Sequence, residues 1–69
     1  MRVLVNGEPI ELSDGASVRA AAAAIGVDPS TRGVAVAVDG EVVPGSMLEA
    51  RTLTEGQRVE IVAAIQGGS

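Results

Sequence analysis

The chain has 69 residues and a net charge of −4, with no cysteine, histidine, lysine or aromatic residue. That length allows one domain, and the composition leaves it an aliphatic core with no disulfide and no thiolate or imidazole metal site. It also excludes acyl transfer by a thiol or with a His or Lys base. An acidic chain with five scattered arginines and no ring to stack on a base is not built for nucleic acid.

Residues 2–5 form a short, mostly β-branched run, and Asn6-Gly7 after it is the strongest two-residue hairpin signal. Residues 8–12 alternate, with Ile10 and Leu12 on one face, and Pro9 assigns this second strand to a sheet edge because it lacks a backbone donor. Ser13-Asp14-Gly15 is turn chemistry. Ser17 then caps a helix that begins at Val18. Val18, Ala21, Ala22 and Ile25 make one apolar stripe on it, and Gly26 ends it at C′.

Residues 27–33, with Pro29 and Gly33, read as a loop. Residues 34–38 are a strand, Asp39-Gly40 a turn, and residues 41–43 a return strand stopped by Pro44 and Gly45. Residues 46–50 suggest one helical turn, and Glu55-Gly56 another reversal. Residues 58–65 are the longest strand candidate. The order β-β-α-β-β-β predicts an α+β domain over residues 1–65, a mixed sheet of four to five strands with one helix on one face. Residues 66–69 follow as a flexible tail. No stretch approaches the ~20 apolar residues of a membrane span. The first seven residues lack the apolar stretch of a signal peptide. A cytoplasmic protein is therefore expected.

No side-chain constellation points to an enzyme. The six Glu and three Asp fall in turns and on polar strand faces, where solvated surface is the ordinary reading, and none has calcium-loop spacing. The glycines match neither a Walker loop nor a dinucleotide fingerprint. A chain this small is also expected to lack the ~300 Å³ or more of a ligand pocket. No resident cofactor and no metal are expected.

The pair Gly67-Gly68 remains. Glycines near the end of a chain are ordinarily a linker or a disordered end. Here they follow the longest strand through Ile65 and Gln66 with no polar spacer. With no Cβ, they make a thread that can enter a narrow channel at any backbone angle.

With Gly67-Gly68 in view, the whole chain resembles the thiamine sulfur-carrier family, ThiS, whose fold is the ubiquitin-like β-grasp. The likeness starts at Val3-Leu4-Val5-Asn6-Gly7-Glu8 and continues through Gly15-Ala16-Ser17-Val18. Its most specific part is Val34-Ala35-Val36-Ala37-Val38-Asp39-Gly40-Glu41-Val42-Val43-Pro44. Leu53-Thr54-Glu55-Gly56-Gln57-Arg58-Val59-Glu60-Ile61-Val62 and Gln66-Gly67-Gly68 complete it.

The resemblance implies a carrier protein, acted on by enzymes and not itself an enzyme. A ThiF-like enzyme adenylates the terminal glycine carboxylate with ATP. Sulfur from a cysteine desulfurase system replaces AMP to give a thiocarboxylate, and a ThiG-like thiazole synthase takes the sulfur into the thiazole of thiamine. By position Gly68 is the residue modified, while Gln66 and Gly67 thread the tail. One departure is Ser69: while it is attached, Gly68 offers an amide, so the chemistry requires its removal. Carriers for molybdopterin (MoaD) or cysteine biosynthesis share the fold and the glycine pair. A β-grasp interaction module with an idle tail is a third reading.

The β-grasp resemblance also makes the first, third and last strands neighbours. Strand side chains alternate with period two. Val34, Val36 and Val38, with Val59, Ile61, Ala63 and Ile65, should then cover the helix together with Val3, Val5, Ile10 and Leu12. Leu4, Ala35, Ala37, Val62 and Ala64 point away and should form one exposed apolar patch. A patch rimmed by charge marks a partner site, here for the activating enzyme and the thiazole synthase. Neither nucleic acid nor a membrane is expected as a partner.

Overall fold

The computed structural model describes residues 1–63. The chain runs through β1 (Arg2–Val5), β2 (Glu8–Glu11), α1 (Val18–Ala24), β3 (Val34–Val38), β4 (Glu41–Val43), a 3₁₀ turn at Gly45–Met47, and β5 (Arg58–Ala63). The strands form one mixed sheet in the order β2-β1-β5-β3-β4. β1 and β5 are parallel and the other pairs antiparallel. This is the α+β arrangement that the element order predicts and the β-grasp that the resemblance implies. Tight turns cannot join parallel neighbours, so the chain between β2 and β5, with α1 in it, acts as the crossover.

Both short hairpins turn at residues with positive φ. Asn6 and Gly7 have φ of 51° and 85°, and Asp39 and Gly40 of 50° and 85°. Two successive positive φ values define the type I′ turn, whose twist matches that of the strands it joins. Pro9 lies on β2, an edge strand, where a missing donor costs no ladder bond. β2 ends one residue earlier than expected, at Glu11, and Leu12 is half-buried against the core.

The helix is seven residues long, too short to persist alone. Its termini are therefore closed by the rest of the fold. The Ser17 hydroxyl accepts from the Ala20 N–H at 3.2 Å. The Val18 and Arg19 N–H groups donate to the carbonyls of Arg51 and Leu48 at 3.0 and 3.1 Å. At the other end the Gly26 N–H donates to Ala23 and the Val27 N–H to Ala22, both at 3.0 Å, with Gly26 at a φ of 78°. That pair of bonds is a Schellman motif.

The segment after β4 differs from the expected turn at residues 46–50. The 3₁₀ turn spans Gly45–Met47, and a further bend carries the chain to Ala50. From there the segment returns along the helix N-terminus, where the Leu53 N–H donates to Ala16 at 2.8 Å. Leu48 and Leu53 are buried by this route. They join Val3, Val5, Val18, Ala21, Ala22, Val36, Val38, Val43, Val59 and Ile61 in one aliphatic core. Each such Val, Leu or Ile contributes roughly 1.5–3 kcal/mol through burial. Ala63 was expected in the same row. It is exposed: it lies past Ile61 and pairs with Val34, itself only half-buried, at the margin of the core.

Candidate functional site

Pairing register determines what shares the sheet face opposite the helix. Leu4 pairs with Pro9 on one side and Arg58 on the other. Ala35 pairs with Val62, and Ala37 with both Glu60 and Val42. Paired residues lie on the same face of a sheet. Leu4, Ala35, Ala37 and Val62 are therefore all on the face away from α1. Ala64, Ile65, Gln66, Gly67 and Gly68 lie outside the described residues.

The four described residues do not make one continuous patch. The outward row of β5 reads Arg58, Glu60, Val62. Its apolar end meets Ala35, and its charged end meets Leu4. Leu4 is therefore set apart from the alanines by Arg58 and Glu60. It is also half-buried, whereas Val62 is 64% exposed.

The sequence reading missed Val42, which is 70% exposed and pairs with Ala37. The signal was present in Glu41-Val42-Val43: once Val43 is assigned to the core, alternation turns Val42 outward. The apolar part of this face is thus Val42, Ala37, Ala35 and Val62 on three adjacent strands, with Glu60 set against Ala37.

Two shallow depressions flank Glu60. One, of about 260 Å³, is lined by Leu4, Gly7, Arg58, Val59 and Glu60. The other, of about 460 Å³, lies over Asp39, Gly40, Arg58 and Glu60. The second is larger than a chain of this size was expected to offer. Its lining residues are all exposed and mostly charged. Three charged side chains and a glycine line it, in place of the hydrophobic and aromatic side chains on which small-molecule sites depend.

The central strand β5 is held at both ends by side chains from the two hairpin turns. Near its start, Asp39 Oδ1 accepts from the Arg58 N–H at 2.9 Å, and Asp39 Oδ2 accepts from Gln57 Nε2 at 3.2 Å. Near its far end, Asn6 Oδ1 accepts from the Ile61 N–H at 2.8 Å, and Asn6 Nδ2 donates to the Ile61 carbonyl at 3.3 Å. The sequence identified Asn6 and Asp39 as turn residues only, and the reach of their side chains across the sheet was not legible in it.

Comparison with known proteins covers the whole of this architecture. The pattern of the ThiS family matches residues 3–68. The crystal structure of a thiamine biosynthesis protein (ThiS) from Geobacter metallireducens superposes with a TM-score of 0.77 at 27% identity, over 94% of this chain and 96% of that one. An NMR structure of a thiamine biosynthesis protein from the same organism gives a TM-score of 0.75 at 27% identity, over 100% of this chain and 90% of that one. A thiazole synthase from Paramagnetospirillum magneticum is 39% identical over 69 residues. The match takes in all of this chain but only 21% of that protein's length.

Proposed function

The chain belongs to the ThiS family, and we propose on that footing that it carries sulfur for the thiazole of thiamine on the carboxyl carbon of Gly68. The observation that carries this reading is the extent of the family match. It spans the fold and continues through both glycines of the tail. A carboxylate is a poor acyl donor until its oxygen becomes part of a good leaving group. In the proposed sequence a Gly68 carboxylate oxygen attacks the α-phosphorus of ATP and pyrophosphate leaves. A persulfide supplied by a cysteine desulfurase system then attacks the acyl carbon with its terminal sulfur and AMP leaves. A thiol reductant cleaves the acyl disulfide so formed, releasing the thiocarboxylate on Gly68 and itself ending as a disulfide. Apart from the Gly68 carboxylate itself, the sequence offers no thiol, imidazole or lysine amine to serve these steps, so a ThiF-like activating enzyme does the catalysis. Gln66 and Gly67 thread into its active site.

The thiazole synthase match supports the destination of the sulfur. A stretch like this chain exists inside a synthase polypeptide, where carrier and acceptor would be tethered. For a separate chain the tether is replaced by docking, for which the outer sheet face offers Ala35, Ala37 and Val62, with Leu4 beyond the charged row; by sequence alternation Ala64 belongs to the same docking set. The setting is the cytoplasm, where ATP is at hand.

The test is intact mass spectrometry of the chain ending at Gly68, incubated with ATP, the activating enzyme and a sulfur source. The expected product is heavier by the difference between a sulfur and an oxygen atom. Deleting Gly68 should abolish the change while leaving circular dichroism and melting unaltered. The chain that retains Ser69 should be inert, because Gly68 then has no free carboxylate. Thiocarboxylate formation by the Gly68 deletion would overturn the assignment.

A further inference from the structure

β1 ends at Val5, but its pairing with β5 does not. The Leu4 N–H donates to the Gln57 carbonyl and the Asn6 N–H to the Val59 carbonyl, both at 2.9 Å. The next position along β5 on that side is Ile61. Asn6 reaches it with its side chain, accepting from the Ile61 N–H and donating to the Ile61 carbonyl. The side-chain amide thus presents the donor and acceptor that one more β1 residue would have presented. Its backbone meanwhile turns away at a φ of 51° into the hairpin. Ile61 is buried, while Val62 and Ala63 beyond it are exposed. Among the described residues, the Asn6 contact is therefore the last hold that the first hairpin has on β5 on the way to Gly68.

We propose that Asn6 is a positioning residue for the chemistry at Gly68: its side chain holds the tail-proximal end of β5 in the sheet and so fixes the point from which the tail reaches into a partner's active site. The inference rests on the reading of Gly68 as the modified residue. Its physical basis is that acyl transfer needs the reacting atoms held in near-attack geometry, and a displacement of about 1 Å can cost about a hundredfold. A tail rooted in a strand end that has come away from β1 reaches that geometry less often. Docking is less affected, because Val62 remains paired with Ala35 on β3.

The molecule supplies its own control. Asp39 does for the start of β5 what Asn6 does for its end, from a turn of the same type. Asn6→Gly and Asp39→Gly each delete side-chain bonds to or beside β5. Each also replaces a positive-φ residue with the one that adopts positive φ at least cost. The experiment measures ATP–pyrophosphate exchange by a ubiquitin-activating-type enzyme on the chain ending at Gly68, with melting temperatures for every variant.

Both glycine variants should melt lower than wild type. Asn6→Gly should lower kcat about tenfold with KM changed by less than about threefold, and Asp39→Gly should leave kcat within about twofold. Asn6→Asp, which can still accept from the Ile61 N–H but cannot donate to its carbonyl, should fall between wild type and Asn6→Gly. Exchange by wild type with kcat unchanged in Asn6→Gly and Asn6→Asp overturns the positioning role alone. Equal losses of kcat in Asn6→Gly and Asp39→Gly overturn it too, since stability would then explain both. Absence of exchange with wild type overturns the carrier reading and the positioning role with it.

Discussion

The two faces of the sheet are made by the same strands and partly by the same residue type, yet they have opposite fates. On the face toward α1, Val3, Val5, Val36, Val38, Val59 and Ile61 are at most 8% exposed. On the other, Val42 and Val62 stand more than half in solvent among alanines, Arg58 and Glu60. Valine favours strands in either setting, so composition does not separate them. Register does: each exposed valine is one residue along from a buried aliphatic residue, Val42 beside Val43 and Val62 beside Ile61. The comparison shows how a chain without aromatic residues manages two tasks. The buried rows take the bulky aliphatics that stability needs. The outer rows keep two valines and set small alanines around them, which leaves room for another protein's side chains to approach the strands.

The largest effect should come from violating the inner face. Val59→Asp places a charge on the central strand between Val5 and Val38, its neighbours on either side. Burying an unpaired carboxylate there should cost at least ~4 kcal/mol, about all the stability a core this small supplies. The expected outcome is loss of the folded circular dichroism spectrum at neutral pH. A cooperative melt like that of wild type would show that the inner face is less closed than its burial indicates.

An intermediate effect should appear on the outer face, in binding and not in folding. Val62→Arg should weaken docking to the activating enzyme by ~2 kcal/mol, as expected for a central interface residue. Its effect on unfolding should stay within ~0.5 kcal/mol, as for exposed positions generally. Val42→Arg extends the test to the edge strand. Calorimetric binding and a denaturant titration on the same samples separate the two quantities. Unchanged binding by both variants would make this face ordinary surface.

The smallest effect concerns charge, which no buried side chain carries among the described residues. Asp28, after the helix, is held below the ordinary carboxylate range by hydrogen bonds from the Ser30 hydroxyl and N–H, with the Arg19 guanidinium adding to them against a small opposing effect of desolvation. A carboxylate whose folded pKa is depressed stabilises the protein above its unfolded pKa. That stabilisation disappears as pH falls through the folded value. Asp28→Asn should therefore lower the melting temperature slightly at neutral pH and converge with wild type in acid. Parallel melting curves at all pH values would remove Asp28 from the account.

How much of this was legible in the sequence depended on how local each feature is. The two glycine turns, the Ser17 cap and the Gly26 stop involve contacts within a few residues, and they stand where the sequence places them. The inner valine rows follow from alternation alone. Leu48 and Leu53 were not legible as core, because the irregular segment that carries them is buried only by its passage along the helix N-terminus. The separation of Leu4 from the alanines likewise depends on a register between strands more than fifty residues apart in sequence, Leu4 with Arg58. The hold of Asn6 on Ile61 also spans more than fifty residues. Of the candidate site, the face was therefore readable, and its division into an apolar and a charged part was not.

Because β1 runs parallel to β5, the chain enters and leaves this sheet at opposite ends. The Gly56 N–H donates to the Arg2 carbonyl, so residue 1 lies by the Glu55-Gly56 turn, while Ala63 lies at the far end of a strand that spans roughly 20 Å. A polypeptide, tag or solid support attached ahead of Met1 would hang from the Glu55-Gly56 end and leave the opposite one clear. An antiparallel closing strand would have brought the two ends together, and any such attachment would crowd the exit. The topology thus lets the module be tethered by its head while its other end works.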